Sequence, residues 1–94
     1  MDYEWDPDKA TTNQAKHGVD FCVAEGFEWD AALVWADVRG QYGEVREIAF
    51  APIDHRLHVM VFTLRGEKIR MISLRKANKR EVAVYEQAFN RRGR

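Results

Sequence analysis

The sequence predicts an α+β fold in which two N-terminal helices and one C-terminal helix pack on a four-stranded antiparallel sheet. Three features of the chain support this prediction. Near the amino end, an Asp-Pro pair that can start a helix is followed by a glycine that can end it. The middle of the chain holds four runs rich in β-branched and aromatic residues, separated by turns. The last quarter opens with a capping box, the signature of a helix start.

The two N-terminal helices are predicted from their capping residues. Asp6 can accept amide protons as an N-cap, and Pro7 occupies the first helical position, which tolerates proline. This helix should end at His17, because Gly18 can supply the left-handed residue that closes a helix. Residues 20–29 predict a short second helix, since apolar positions recur there at helical spacing behind an aspartate cap.

Four strands are predicted between these helices and the last quarter of the chain. They are residues 32–36, 45–51, 57–64 and 68–74. Residues 57–64 are apolar on both alternating faces, which predicts a central strand covered on both sides. The separator 65–67 contains a glycine and is short enough for a hairpin, so the last two strands should be antiparallel neighbours. Residues 37–43 contain two glycines and are predicted to form an exposed loop.

The last helix is predicted from a variant of the capping box, in which Asn78 caps the helix and Glu81 returns to the cap amide. Val82, Tyr85 and Phe89 follow at i, i+3 and i+7 spacing and should bury one stripe. All these elements are expected to form a single domain over residues 1–94, because a chain of this length supports one core.

Composition limits the class of protein. Hydrophobic residues make up 46% of the chain, which argues against intrinsic disorder. Cys22 is the one cysteine and cannot form an intramolecular disulfide, and no charged-then-apolar leader precedes Trp5. No apolar run approaches the ~20 residues that a membrane span needs. We therefore expect a soluble, cytoplasmic protein with no membrane partner.

The net charge of zero hides an asymmetry between the two halves of the chain. Residues 1–47 hold 11 acids and 4 bases, a net charge of −7, and residues 48–94 hold 4 acids and 11 bases, a net charge of +7. Such a division indicates an anionic partner for one face of the protein and a different partner for the other. Equally, the two halves can pair with each other across the fold.

The sequence does not predict a metal or cofactor site. Its three histidines and one cysteine are scattered, without the His-x-x-x-His or Cys-x-x-Cys spacing that zinc sites use. Neither a glycine-rich phosphate loop nor a nucleophile elbow occurs. We therefore expect no cofactor, and nucleic acid is the natural anionic target of the basic half.

Several segments, spread over nearly the whole chain, resemble one known family in order and spacing. They are residues 4–6 (EWD), 16–21 (KHGVDF), 44–46 (EVR), 59–65 (VMVFTLR) and 69–77 (IRMISLRKA), completed by Glu81 and Tyr85 on the last helix. The family that they resemble is that of the BrnT toxins.

This resemblance implies a fold similar to RelE-type toxins and a ribonuclease activity on RNA that blocks translation. It also implies neutralisation by a BrnA-type antitoxin, with a toxin–antitoxin heterotetramer as the silent form. The strand after Arg46 departs from the family pattern, because it continues as Ile48-Ala49 where an Ile-Gly pair is usual. A degenerate toxin that acts as a non-catalytic adaptor, binding nucleic acid or protein, is therefore the alternative.

Metal-free RNA cleavage needs a base for the 2′-hydroxyl, cations for the phosphorane and an acid for the leaving oxygen. Arg46, Arg65 and Arg75 lie beside strand ends, where a guanidinium can hold a phosphate, and we expect them to gather at one edge of the sheet. Arg75 is favoured as transition-state stabiliser, because it precedes the positive N-terminus of the last helix. The alternative for each arginine is an ordinary surface ion pair or, for Arg46 and Arg65, protection of a sheet edge, and Arg46 and Arg65 are the weaker candidates.

His17 is the acid/base candidate because its pKa lies near neutrality, although a histidine before a helix-ending glycine can serve as a C-cap instead. Glu81 can act as a base, but its capping position explains it as well. Tyr85 can stack on a nucleobase or pack in the core with its helical stripe. The residues predicted to bind substrate are Lys76, Lys79, Arg80 and Tyr85.

Overall fold

A computed structural model describes residues 1–92 and confirms the α+β class. The strands are β1 (Asp2–Glu4), β2 (Leu33–Ala36), β3 (Glu47–Ile53), β4 (Arg56–Arg65) and β5 (Lys68–Lys76). The α-helices are α1 (Pro7–His17) and α2 (Lys79–Arg92), and 3₁₀ helices occupy Phe21–Gly26 and Trp29–Ala31. Neither α-helix has the length and apolar content needed to cross a membrane.

The sheet has five strands in the order β1-β5-β4-β3-β2. Strands β2 to β5 are antiparallel neighbours, as predicted, and β4 lies at the centre of the sheet. The predicted total of four antiparallel strands is wrong, because β1 adds a parallel strand along Lys68–Arg70 of β5. A strand of three residues carries too little alternation to be predicted, and its partner lies at the far end of the chain.

The second predicted helix is a six-residue 3₁₀ helix rather than an α-helix. Asp20 caps it as expected, since its Oδ1 accepts the Cys22 N–H at 2.8 Å. Phe21, Ala24 and Phe27 are all buried, and they recur every three residues. This spacing matches the three residues per turn of a 3₁₀ helix, whereas an α-helix would turn one of the three away from the core.

The capping predictions for the α-helices are confirmed. Asp6 accepts the Asp8 N–H at 2.8 Å ahead of Pro7, and Gly18 closes α1 with a φ of 68°. At the start of α2, Asn78 Oδ1 accepts the Glu81 N–H at 2.8 Å. In return, Glu81 Oε1 accepts the Asn78 N–H at 2.9 Å, which completes the capping box.

The apolar stripe of α2 reaches the sheet only through its first two turns. Val82 and Tyr85 are half-buried against the sheet. Phe89 is 47% exposed and stacks on the Tyr85 ring, so its predicted burial is wrong. The reason is that Phe89 lies one turn further along the helix, where the sheet no longer covers this stripe.

Each face of the sheet carries its own core. The α1-side core, which α1 and the 3₁₀ helices cover, contains Val19, Phe21, Ala24, Phe27, Ala49, Ala51, Ile53, Met60, Phe62, Ile69, Met71 and Leu74. The α2-side core contains Ile48, Phe50, Leu57, Val59, Val61 and Ala77. The alternating residues of β4 contribute to both cores, which confirms its predicted position as the central strand covered on both faces.

A buried asparagine of α1 takes the place of a neighbouring strand. Beyond Arg70, no strand among residues 1–92 pairs with the outer edge of β5. There, Asn13 Oδ1 accepts the Leu74 N–H at 3.0 Å, and Asn13 Nδ2 donates to the Leu74 carbonyl at 2.7 Å. The same Nδ2 donates to the Val19 carbonyl at 3.0 Å. One amide therefore joins α1, the following turn and the edge of the sheet.

His58 should make the stability of the fold depend on pH. Burial lowers the pKa of His58, and the positive charges of Lys76 and Arg56 oppose its protonation further. Because the unfolded chain then binds protons more readily, the free energy of unfolding should fall as the pH decreases from about 7 to about 5. His17, whose pKa is also lowered, adds to the same trend.

Urea unfolding at a series of pH values measures this dependence in the wild type and in His58→Asn. The asparagine does not titrate, and its amide can replace the contact between His58 Nδ1 and the Arg56 carbonyl oxygen, which is 2.7 Å long. The variant should show a shallower dependence of the free energy of unfolding on pH. An unchanged slope would show that His58 does not carry the effect.

Candidate active site

A bulge in β5 sets the direction of Arg75. Consecutive residues of β4 pair with Ser73 and Met71, so Ile72 is an extra residue between them. Up to Met71, the odd-numbered residues of β5 face the α1-side core. After the bulge the alternation is reversed, and Arg75 lies opposite Val59 on the α2-side face. The guanidinium therefore reaches toward α2.

Arg75 is held at the N-terminus of α2 by Glu81. Its Nη1 and Nη2 donate to Glu81 Oε1 and Oε2 at 2.8 and 2.7 Å. Because Glu81 also accepts the Asn78 N–H, one carboxylate serves both the capping box and the guanidinium. Hydrogen bonding from Arg75 lowers the pKa of Glu81, so this carboxylate stays ionised. The pair fixes the orientation of Arg75.

His17 lies on the other side of β5 from α2, at the end of α1. It lines a cleft of about 320 Å³ between α1 and the free edge of β5, together with Lys16, Ile72 and Ser73. Burial lowers the pKa of His17, and the charges of Lys16 and Arg75 lower it further. The lowered pKa keeps the imidazole neutral at neutral pH.

Arg46 and Arg65 form a second cluster around Glu44. Arg46 Nε lies 3.4 Å from Glu44 Oε2, and Arg65 Nη2 lies 3.6 Å from Glu44 Oε1. The Arg46 guanidinium also packs over the Tyr42 ring, 4.0 Å from its centroid. The Arg65 side chain is 54% exposed. Both contacts to Glu44 are long, and the exposed Arg65 guanidinium is the more accessible of the two to an anion, since the Arg46 side chain is only 22% exposed.

The expectation that the three arginines gather at one edge is wrong. Arg65 pairs with Lys68, whereas Arg75 pairs with Val59, six residues back along β4. At ~3.3 Å per residue this separates the two positions by roughly 20 Å. The physical reason is that β4 and β5 are antiparallel, so the C-terminal ends of these strands lie at opposite ends of the sheet. Alternation nevertheless places Arg46, Arg65 and Arg75 on the same, α2-side face.

Two further arginines approach this face, and the sequence analysis missed both. Arg70 lies opposite Thr63 on the α2-side face and pairs with Glu4 at 2.7 Å. Arg39, in the loop after β2, makes two 2.7 Å hydrogen bonds to Asp37, and its positive charge acts to lower the pKa of Arg75, which hydrogen bonding to Glu81 raises. Strand alternation could have indicated Arg70, but only a tertiary structure can bring the loop residue Arg39 near Arg75. We call Arg39, Arg46, Arg65, Arg70 and Arg75 the arginine face.

Every arginine of this face pairs with a carboxylate. Of the five ion pairs among the side chains that the structure describes, residues 1–90, Arg65–Glu44 and Arg70–Glu4 join the acidic and basic halves of the chain. The other three are local. Pairing between halves therefore explains part of the charge asymmetry, and the carboxylates also orient the guanidinium groups.

The remaining predicted substrate contacts are spread over both faces. Lys76 pairs with His58 and lines a cavity on the α1 side, away from Arg75. Lys79 and Arg80 are exposed in the first turn of α2. Tyr85 donates its hydroxyl proton to the Ala31 carbonyl at 2.6 Å and is half-buried, as its interpretation as a core residue predicts.

No group of three or more His, Cys, Asp or Glu side chains within residues 1–92 is placed to hold a metal ion.

One known family matches most of this sequence. The family described as "Ribonuclease toxin, BrnT, of type II toxin-antitoxin system" matches residues 5–81 of the 94-residue chain. No curated protein matches the chain. Because the family match covers most of the sequence, the chain belongs to the BrnT family of type II toxin–antitoxin ribonuclease toxins.

Proposed function

We propose that this BrnT-family protein is a metal-independent endoribonuclease that cleaves RNA in the cytoplasm and thereby inhibits translation. The observation that carries the proposal is the Arg75 guanidinium, which Glu81 holds in a fixed orientation at the positive N-terminus of α2. The site also offers the neutral imidazole of His17, and a fixed cation and a neutral base are groups that metal-free phosphoryl transfer needs.

Arg75 stabilises the transition state in this proposal. Glu81 uses two of the guanidinium N–H groups, and others remain to bind an anionic phosphate oxygen. Charge grows on those oxygens when the 2′-oxygen attacks, so a cation fixed in advance stabilises the phosphorane more than the substrate. Glu81 is a positioning residue, because its oxygens are occupied by Arg75 and the Asn78 N–H.

His17 accepts the proton from the 2′-hydroxyl. Its lowered pKa keeps the imidazole unprotonated at neutral pH, which is the form a general base requires. The 2′-oxygen forms a bond to phosphorus while the bond to the 5′-oxygen breaks, and the leaving 5′-oxygen takes a proton from water, which gives a 2′,3′-cyclic phosphate and a 5′-hydroxyl. Lys16 and Arg75 stabilise the negative charge on the leaving oxygen.

Arg46 and Arg65 bind a phosphate of the same RNA some distance from the reacting one. They lie on the same sheet face as Arg75 and are separated from it by roughly 20 Å of β4. A single strand crossing this face would meet both clusters. Lys79 and Arg80 extend the cationic surface along the first turn of α2.

We propose that a BrnA-like antitoxin binds this protein and inhibits its ribonuclease activity, and that the two proteins form a heterotetramer. The family supports an antitoxin partner, because type II systems pair a toxin with a protein that neutralises it. Expression of the chain alone should therefore arrest growth, and co-expression with the antitoxin should restore it.

Incubation of the purified protein with single-stranded RNA in EDTA tests the catalytic proposal. We expect cleavage, with 2′,3′-cyclic phosphate ends, at the same rate with EDTA as with added Mg²⁺. The complex of this protein with the antitoxin, purified in the same way, is the matched control and should leave the RNA intact. RNA that is bound but never cut would instead establish the non-catalytic adaptor, and cleavage restricted to the Mg²⁺ sample would contradict metal independence.

A further inference from the structure

One large aromatic side chain on the arginine face is exposed to solvent. Trp35 lies on the edge strand β2 and is 41% exposed. It pairs with Ile48 of the α2-side core, so its ring lies on the face that carries Arg46, Arg65 and Arg75. The ring contacts Phe50 edge-on, with 4.6 Å between centroids.

The cross-strand neighbours of Trp35 are an aromatic residue and a cation. Residues diagonal to a strand position lie roughly 7–8 Å away, which for Trp35 means Phe50 in one direction and Arg46 in the other. Arg46 packs over Tyr42, and Glu44 links it to Arg65. An exposed indole therefore lies next to the half-buried Arg46, which Glu44 links to the exposed Arg65.

We infer that Trp35 stacks on a nucleobase of the RNA whose phosphate is held by Arg46 and Arg65. This inference rests on the proposed function and names how its substrate is recognised. Exposed aromatic rings beside a cationic groove are how proteins hold single-stranded nucleic acid, because every base offers a flat face to stack. The guanidinium groups beside Trp35 select a polyanion over an apolar protein segment.

Steady-state cleavage of a single-stranded RNA tests this role in two variants of Trp35. Trp35→Leu keeps an apolar side chain and removes the stacking surface, so KM should rise roughly 5-fold to 100-fold while kcat stays within about twofold of wild type. Trp35→Phe keeps an aromatic ring and should retain most of the affinity. The slope of binding against salt concentration should stay unchanged in both variants, because no phosphate contact is lost.

Val34→Ala is the matched control, because Val34 is equally exposed on β2 but pairs with Ala49 on the opposite face. It should leave KM unchanged. An unchanged KM in Trp35→Leu, with cleavage intact in the wild type, would overturn the inference and leave the proposed function standing. If Trp35→Leu lost antitoxin binding but kept the RNA affinity of the wild type, the inference would also be overturned, because Trp35 would then belong to a protein interface. A wild type that neither binds nor cleaves RNA would remove both proposals.

Discussion

Replacing Arg75 with alanine should lower kcat for RNA cleavage by roughly 100-fold to 1,000-fold, because the loss of one fixed donor to a developing oxyanion costs about this much. The affinity for RNA should fall far less, since the other arginines of the face still contact the backbone. Overexpression of the variant should no longer arrest growth. Single-turnover cleavage separates the chemical step from binding and measures the effect directly.

Arg70→Ala is a close control for this experiment. Arg70 lies on the same strand and the same face as Arg75, and it also pairs with a carboxylate, at 2.7 Å from Glu4. Its removal should change kcat by no more than a few-fold. Arg75→Lys, which keeps the charge but loses the paired contacts to Glu81, should fall between wild type and alanine. Equal losses in the two alanine variants, or persistent toxicity of Arg75→Ala, would contradict the role of Arg75.

The parts of the fold that depend on neighbouring residues could be predicted from the sequence. The caps at Asp6 and Asn78 and the end of α1 at Gly18 all have the predicted geometry. Each rests on a hydrogen bond or a backbone angle set within a few residues, so local sequence determines it. The pairing of β1 with β5 depends on residues at opposite ends of the chain, and no local pattern encodes it.

The candidate site divides in the same way. The position of Arg75 before a helix N-terminus could be predicted, and Glu81 could be identified as a capping residue. The hydrogen bonds of Glu81 to Arg75 depend on the bulge at Ile72, which reverses the direction of the later β5 side chains. A bulge is a property of two paired strands, so neither the sequence of β5 nor its composition reveals where Arg75 points. The approach of Arg39 depends on the path of a whole loop.

Replacing Asn13 with alanine should lower the free energy of unfolding by at least about 3 kcal/mol. The substitution removes three buried hydrogen bonds and leaves the N–H and carbonyl of Leu74 and the carbonyl of Val19 without this partner. Each buried polar group that loses its hydrogen bond costs about 1–3 kcal/mol. Since small domains are stable by about 5–15 kcal/mol, this loss is a large fraction of the total. Urea unfolding measures it.

Two further variants isolate the cause. Asn13→Asp keeps the size and the acceptor for the Leu74 N–H, but it cannot donate to the two carbonyls, so it should destabilise the fold as well. Gln14→Ala alters an exposed position of the same helix and should change stability by no more than about 0.5 kcal/mol. An Asn13→Ala protein within about 1 kcal/mol of wild type would show that the Asn13 amide does not hold the sheet edge.

Function should be lost along with stability, because Asn13 ties α1 to the β5 residue next to Arg75. His17 ends the same helix, so its distance from Arg75 is set by this connection. In Asn13→Ala, cleavage should therefore fall under conditions where the protein is still folded, and the pKa of His17 should move back toward its ordinary value. NMR titration of the His17 ring measures that pKa. A value equal to that of the wild type would show that Asn13 does not set the position of α1.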